Sequence, residues 1–525
     1  MERVRFQGAA VAGGATAARG PGGPPGRKVP DLTTGPIGRT LILFALPVLA
    51  TNILQSLNGS ANAIWVSHVL GEAALTATSN ANQIMFLMLG AVFGLSMASN
   101  IMIGHAMGAR DMTAAKKVIG TSTAFFIVVS LSVGLLGALL TPHILTWMGT
   151  PEEAKRDAVA YLRVIFSAMP FMYFFSYVMM AQRGTGDSRT PFYFSLLAVG
   201  MDVVLNPLLI TGYGPFPKLG IAGSAYATLV SQTITLVAMI VHLYRKGSIL
   251  VLRPGEFHLL LPDLSIIRGL VLKGLPMGFQ MMVTSLAAVT MMSLVNRHGV
   301  HTSAAYGAAS QLWTYVQMPA MALGAAVSSM AAQNVGAGKM DRVEQVARSG
   351  VLYALVFTGL PVVAIYFADP WVLQAFLPGT SPSLPIAVHI NSIVLWGFIP
   401  FGLAFIFSGV VRATGAVWPP LLAMIIALWG VRVPLANILE PYLGANAIWI
   451  SFPIGSFTTL LLAWAYYVWG GWRSSRMLPT TPPVTDEPDT GFGQPMIEEA
   501  EVLAEAAERA EPSRSSPSAP NRPGS

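Results

Sequence analysis

The chain has 525 residues, 53% hydrophobic and only 10% charged, with a mean hydropathy of +0.59; soluble domains carry roughly 25% charged residues, so a water-soluble globular protein is excluded. There are no cysteines, which removes disulfides, thiolate metal sites and palmitoylation. The net charge of +7 suits loops facing anionic lipid headgroups, and no clustered basic face with groove-reading elements points to nucleic acid.

Residues 1–37, rich in Gly, Ala, Pro and Arg, lack the apolar core of a signal peptide and read as a disordered cytoplasmic arm. Apolar stretches of about 20 residues or more follow, enough to cross a hydrocarbon core of roughly 30 Å as helix. They are expected near 40–66, 76–103, 118–142, 158–182, 190–212 and 221–244. After a linker at 248–266 come 269–296, 304–334, 347–373, 385–411, 416–438 and 444–471. Residues 474–525, rich in Pro, Ser and Glu, read as a disordered cytoplasmic tail with a short helix candidate near 496–509. A β-barrel would need short alternating strands, so the fold class is an all-α polytopic membrane protein.

The chain repeats itself. Leu46-Pro47 recurs as Leu275-Pro276, Gly108-Ala109 as Gly336-Ala337, Arg183, Thr185 and Gly186 as Arg412, Thr414 and Gly415, and Pro191 as Pro420, always at an offset of 228 or 229. This order predicts 12 transmembrane helices as two parallel-repeat six-helix bundles, 38–247 and 267–473. Six crossings return the chain to its starting side, so the pseudo-two-fold axis runs along the membrane normal, a plan common in transporters. Alternate loops carry Arg110, Lys116, Lys117, Arg189, Lys246, Lys339 and Arg342. Basic loops stay cytoplasmic, which puts both termini inside.

Within the spans, Asp202 is the one carboxylate expected deep in a helix, with Asn206 one turn on. The other acids, Asp369 among them, are assigned to loops. Gln55, Asn58 and Asn62 share a face of the first span. If the two stripes meet, they form an acid ringed by amides, a proton site that a cation could also occupy. A structural ion pair with Arg163 is the competing reading. Arg432 is expected to snorkel or pair. Tyr306, Gln311, Trp313, Tyr315 and Met318 on the eighth span and Gln280 on the seventh would suit an adaptable cavity.

Gly104-His105-Ala106-Met107-Gly108-Ala109-Arg110 after the second span and Gln333-Asn334-Val335-Gly336-Ala337-Gly338 after the eighth resemble the multidrug and toxic compound extrusion family. So do Arg183-Gly184-Thr185-Gly186-Asp187 with Thr190-Pro191, Leu219 to Thr228, and Val295-Asn296 with Tyr306. The resemblance covers residues 38–472, and the Gln280, Asn296 and Tyr306 context is similar to the damage-inducible-protein F branch. It implies a pair of six-helix bundles exporting cationic or amphipathic small molecules in exchange for protons or sodium. It implies no enzyme activity and no cofactor.

The chain departs from the family pattern. Asn62 stands where the family often has Asp, Asp202 and Asn206 are exchanged across one turn, and Thr284 replaces a Glu of sodium-type members. The resemblance therefore assigns ion coupling to Asp202, Asn206 and Asn62, with sodium at Asp202 as a variant. Substrate binding falls to Gln55, Asn58, Thr228, Gln280 and Tyr306. The expected partners are a small-molecule substrate, the coupling ion and membrane lipids. The chain is expected as a monomer in the inner membrane of a GC-rich bacterium. The alternative, a flippase for lipids or lipid-linked saccharides, would want several cavity-facing Arg or Lys; Arg163 and Lys273 are few candidates.

Overall fold

The computed structural model describes residues 31–70, 72–147, 152–213 and 216–477. Among them every regular element is helical. The first half comprises α1 (Ile37–Leu70), α2 (Glu72–Gly108), α3 (Met112–Trp147), α4 (Glu152–Gly184), α5 (Arg189–Thr211) and α6 (Ile221–Lys246). The second comprises α7 (Leu264–Asn296), α8 (Val300–Gly336), α9 (Met340–Leu373), α10 (Ser383–Val394), α11 (Phe398–Ala413), α12 (Trp418–Ile425), α13 (Val433–Leu443) and α14 (Asn446–Trp469). α10 and α11 form one span through a 3-10 turn at Leu395–Gly397, and α12 and α13 another through a π turn at Ile426–Arg432.

Eleven described spans are long and apolar enough to cross a membrane. α8 is the twelfth. It is 37 residues long, but less apolar because it is an interior helix packed by α1, α2, α9 and α11 rather than by lipid. The π turn has a local cause. Pro434 lacks an N–H and its ring displaces the carbonyl one turn earlier, so the backbone widens ahead of α13.

Helix pairings repeat between the halves: α3 on α4 as α9 on α11, α4 on α6 as α11 on α14, and α5 on α6 as α13 on α14. Across the halves α2 packs on α7 and α8, and α1 on α8. Gly90 and Gly94 of α2 meet Gly274 and Gly278 of α7, where any Cβ on Gly94 would strike the Gly278 backbone. Two small-xxx-small stripes thus bring the backbones together. Gly108 and Gly336 close the seam further along, against the carbonyls of Gln333 and His105.

The seam is tightest at the end carrying the basic loops. Gln333 accepts from the Leu32 N–H at 3.1 Å and donates to the Gly184 carbonyl at 2.9 Å. Lys339 donates to the Thr33 carbonyl at 3.0 Å, Arg342 to that of Gly35 at 2.7 Å, and the His105 imidazole lies 2.6 Å from the Ala413 carbonyl. Residues 31–36, expected within the disordered arm, instead form an ordered strap with Leu32 and Thr33 buried. Residues 1–30 and the helix candidate near 496–509 lie outside the described residues. The linker is pinned to α3 by Lys116–Glu256 at 2.7 Å and Lys117–Asp263 at 2.6 Å.

Candidate functional site

α5 starts where it does because Asp187 caps it. Its carboxylate accepts the backbone N–H groups of Arg189 (3.1 Å) and Thr190 (3.0 Å) and the Thr190 hydroxyl (2.7 Å), and pairs with Lys246 at 2.9 Å. Partial burial opposes ionisation, but the Thr190 and Lys246 bonds outweigh it and hold this carboxyl below the usual carboxylate range. The cap fixes the register that places Asp202 and Asn206, one turn apart, on the buried face of α5.

Asp202 is 4% exposed and Asn206 1%. Asn206 Nδ2 donates to Asn62 Oδ1 at 2.9 Å, and the Ser224 hydroxyl donates to the same oxygen at 2.6 Å. The Thr228 hydroxyl donates to Asp202 Oδ1 at 3.1 Å, and the Asn58 amide lies beside this carboxylate. Tyr161 of α4 reaches Asn62 and Ser224. Two buried oxygens, Asn58 Oδ1 and Asn206 Oδ1, have no hydrogen-bond partner among the described residues. Pro207 follows at once and removes the N–H that would have bonded the Val203 carbonyl. The unmet capacity of this cluster is that of acceptors around a carboxylate, which suits a proton or a small cation.

Of the residues expected here, Asn58, Asn62, Asp202, Asn206 and Thr228 come together, while Gln55 does not. It is exposed. α1 and α5 run side by side with Asn62 opposite Asn206, so at the same offset Gln55 would meet Val199, which offers it no bond. Arg163 is exposed, and among the described residues no ion pair reaches Asp202. Sequence reasoning missed Tyr161, which carries no local signal. It also missed Ser224, whose signal was its position one turn before Thr228 on α6.

Gln280 and Tyr306 lie elsewhere, in a cavity of about 220 Å³ inside the second half. Trp313, Phe398, Phe401 and Phe452 supply aromatic walls, and Arg412 and Arg432 are in the lining. Arg412 donates to Gln280 Oε1 at 2.9 Å. The Arg432 guanidinium lies 4.6 Å from the centre of the Phe452 ring and beside the Tyr306 hydroxyl. Rather than snorkelling it pairs inward with the Phe452 face, and among the described residues it makes no salt bridge to a carboxylate. Tyr315 and Met318 are not in the lining; Gln317 is.

Asp369 also corrects the sequence reading. It lies within α9, 3% exposed, and accepts from Asn391 Nδ2 at 2.7 Å; Asn391 Oδ1 in turn accepts from the Trp313 indole at 2.8 Å. The span runs further than its apolar core because it is longer than the hydrocarbon region, so an acid near its end is still packed.

The MatE family model matches twice, over residues 47–208 and 276–438. The chain belongs to this family, and the two matches reproduce the internal repeat. It is 36% identical over 446 residues to "Probable multidrug resistance protein YoeA" of Bacillus subtilis (strain 168), covering 84% of this chain and 96% of that one. It is 26% identical over 443 residues to "FAD transporter" of Shewanella oneidensis, covering 83% and 95%. Among solved structures, a multidrug resistance MATE family transporter in an outward-facing conformation superposes with a TM-score of 0.77 at 21% identity, covering 85% of this chain and 97% of that one. A MATE crystal structure in a straight conformation gives the same score and identity, covering 85% and 98%. These structural likenesses establish the fold: two six-helix repeats spanning a membrane.

Proposed function

We propose that this multi-pass membrane protein is a multidrug-type efflux antiporter that exports cationic or amphipathic small molecules in exchange for protons or sodium, with Asp202 as the coupling group. The observation that carries the coupling is the setting of Asp202: buried, bonded only by neutral donors, and flanked by two unpartnered acceptor oxygens. Leaving a buried acid without a cationic partner is costly, and ion uptake is the event that would relieve it. The functional units are the bundles at 38–247 and 267–473 with the linker 248–266 between them. The basic end faces the cytoplasm of the inner membrane, so the strapped seam closes the transporter to the inside. The protomer works as a monomer.

In this cycle the outward-facing carboxylate takes up the ion, the Asn58, Asn62 and Asn206 bonds rearrange between α1 and α5, and the exported molecule leaves. Inward release resets the acid. Ion and substrate drive the change only through different affinities for the two states. Asp202→Asn keeps the shape and removes the titrating charge. In proteoliposomes with proton and sodium gradients imposed separately, it should lose gradient-driven efflux of cationic dyes while eluting as the same folded species. Undiminished exchange would remove Asp202 from the mechanism.

A further inference from the structure

We propose that the cavity in the second half is a binding site for aromatic anions, its arginines supplying the positive charge that receives a carboxylate, sulfonate or phosphate group while the rings stack on the ligand. The proposal rests on the export reading only for what becomes of the bound molecule, since it assigns a ligand class to one pocket of that exporter. Its basis is the chemistry of the lining. Arg412 and Arg432 keep their charge at any accessible pH. The described residues that line the cavity include no Asp or Glu. The buried acid of this half, Asp369, is outside the lining and bonded to Asn391.

The unpartnered atoms are all donors. Arg412 Nε, Arg432 Nε and Gln280 Nε2 are buried and have no acceptor among the described residues. The contacts Arg412 and Arg432 do make, to the Gln280 amide, the Tyr306 phenol and the Phe452 face, supply no negative charge. Two unneutralised guanidinium groups in an apolar enclosure create a positive potential, which repels a cation and which an anion would discharge through charge-assisted bonds. The aromatic walls add a demand for a flat apolar body. Tyr306 stacks on Trp449 with ring centres 5.7 Å apart and meets Trp313 edge-on at 5.4 Å, so these walls are braced before any ligand arrives. The enclosure is sized for one or two rings, which favours a small molecule over a lipid headgroup with its chains outside.

The test uses the full chain in nanodiscs and two probes sharing one ring system: 2-naphthalenesulfonate and 2-naphthylmethylammonium. Calorimetry should show the sulfonate binding at least about tenfold more tightly than the ammonium compound. Arg432→Gln and Arg412→Gln should each weaken the sulfonate by about tenfold and leave the ammonium compound unchanged or improved. Arg432→Lys should fall between, keeping the charge but not the planar fork. Equal affinity for the two probes in the unaltered protein overturns the proposal without any variant having to fold, and so does sulfonate binding that survives both substitutions. Displacement of the sulfonate when phosphatidylglycerol replaces zwitterionic lipid would overturn it in favour of a headgroup site. Asp202→Asn separates the two readings: it should abolish driven efflux and retain sulfonate binding. Failed sulfonate binding beside intact dye efflux sinks this proposal alone.

Discussion

The two halves of this transporter share a helical plan, yet the Asp202 cluster of the first and the cavity of the second leave opposite chemistry unsatisfied. In the first half the unpartnered atoms around Asp202 are acceptors, Asn58 Oδ1 and Asn206 Oδ1; in the cavity of the second they are donors on Arg412, Arg432 and Gln280. At the repeat offset of 229, Asp202, Asn206, Asn62 and Asn58 correspond to Val431, Leu435, Met291 and Ala287. The acid and amides of the first half have thus become apolar in the second. A positive charge stands one residue beyond the acid's counterpart, carried inward by a π turn. Duplication supplied two similar helical frames, and the polar groups buried in each came to differ in kind and in place. An exporter so built could take a cation on one side and an anion on the other without either site compromising its partner, since like charge repels in a low dielectric.

The contrast can be broken from either side. Beyond the loss of driven efflux in Asp202→Asn, the largest effect on stability should come from Asn62→Leu. It strands Asn206 Nδ2 and the Ser224 hydroxyl together, costing about 2–4 kcal/mol, since an orphaned buried group costs roughly 1–3. Thermal unfolding in detergent should show the drop, and a shift no larger than that of a lipid-facing substitution would mean the cluster is not a built site. Asn391→Leu, the comparable cut in the second half, should cost a similar amount, about 2–4 kcal/mol, by stranding Asp369 and the Trp313 indole. Because Trp313 lines the cavity, sulfonate binding should weaken while ion-driven dye efflux persists.

The smallest effect is expected at Asp187, whose counterpart at the offset of 229 is Ala416. Asp187→Asn should cost about 1 kcal/mol at neutral pH, because the pair with Lys246 is partly exposed. The sign with pH follows from the depressed carboxyl. Its contribution is present above the ordinary carboxylate range and fades as pH falls through the folded value. Unfolding temperatures of the variant and the parent should therefore converge in acid. A gap that stays constant from neutral pH to below pH ~3 would assign the effect to packing instead.

Much of this arrangement is legible in the residues. Apolar stretches longer than a hydrocarbon core leave little choice but membrane helices, and the paired Leu-Pro, Gly-Ala and Arg-Xaa-Thr-Gly motifs mark the duplication. The one-turn spacings of Asn58 with Asn62 and of Asp202 with Asn206 indicate which face each helix turns inward. Gln55 fits the same spacing but stays outside the cluster, because periodicity fixes a face but not what the neighbouring helix offers at that height. Asp369 reads as a loop residue because hydropathy falls at the end of a span that continues, packed, beyond its apolar core. The match of Arg412 to Arg183 marks the repeat, but that both arginines are buried follows only from the helices packed around them.

From the sequence alone come the membrane class, the two repeats, the side on which the basic loops gather and the acid most in need of a partner. All follow from local composition and from periods that a helix turns into faces. Only the folded chain decides that Asn62 serves both Asn206 and Ser224, that Tyr161 joins them, that residues 31–36 strap the basic end, and that a π turn carries Arg432 into an aromatic cavity beside Arg412. Those facts depend on which helices meet and at what height, and on a single extra residue in one turn, and neither is written in any stretch of chain short enough to read by itself.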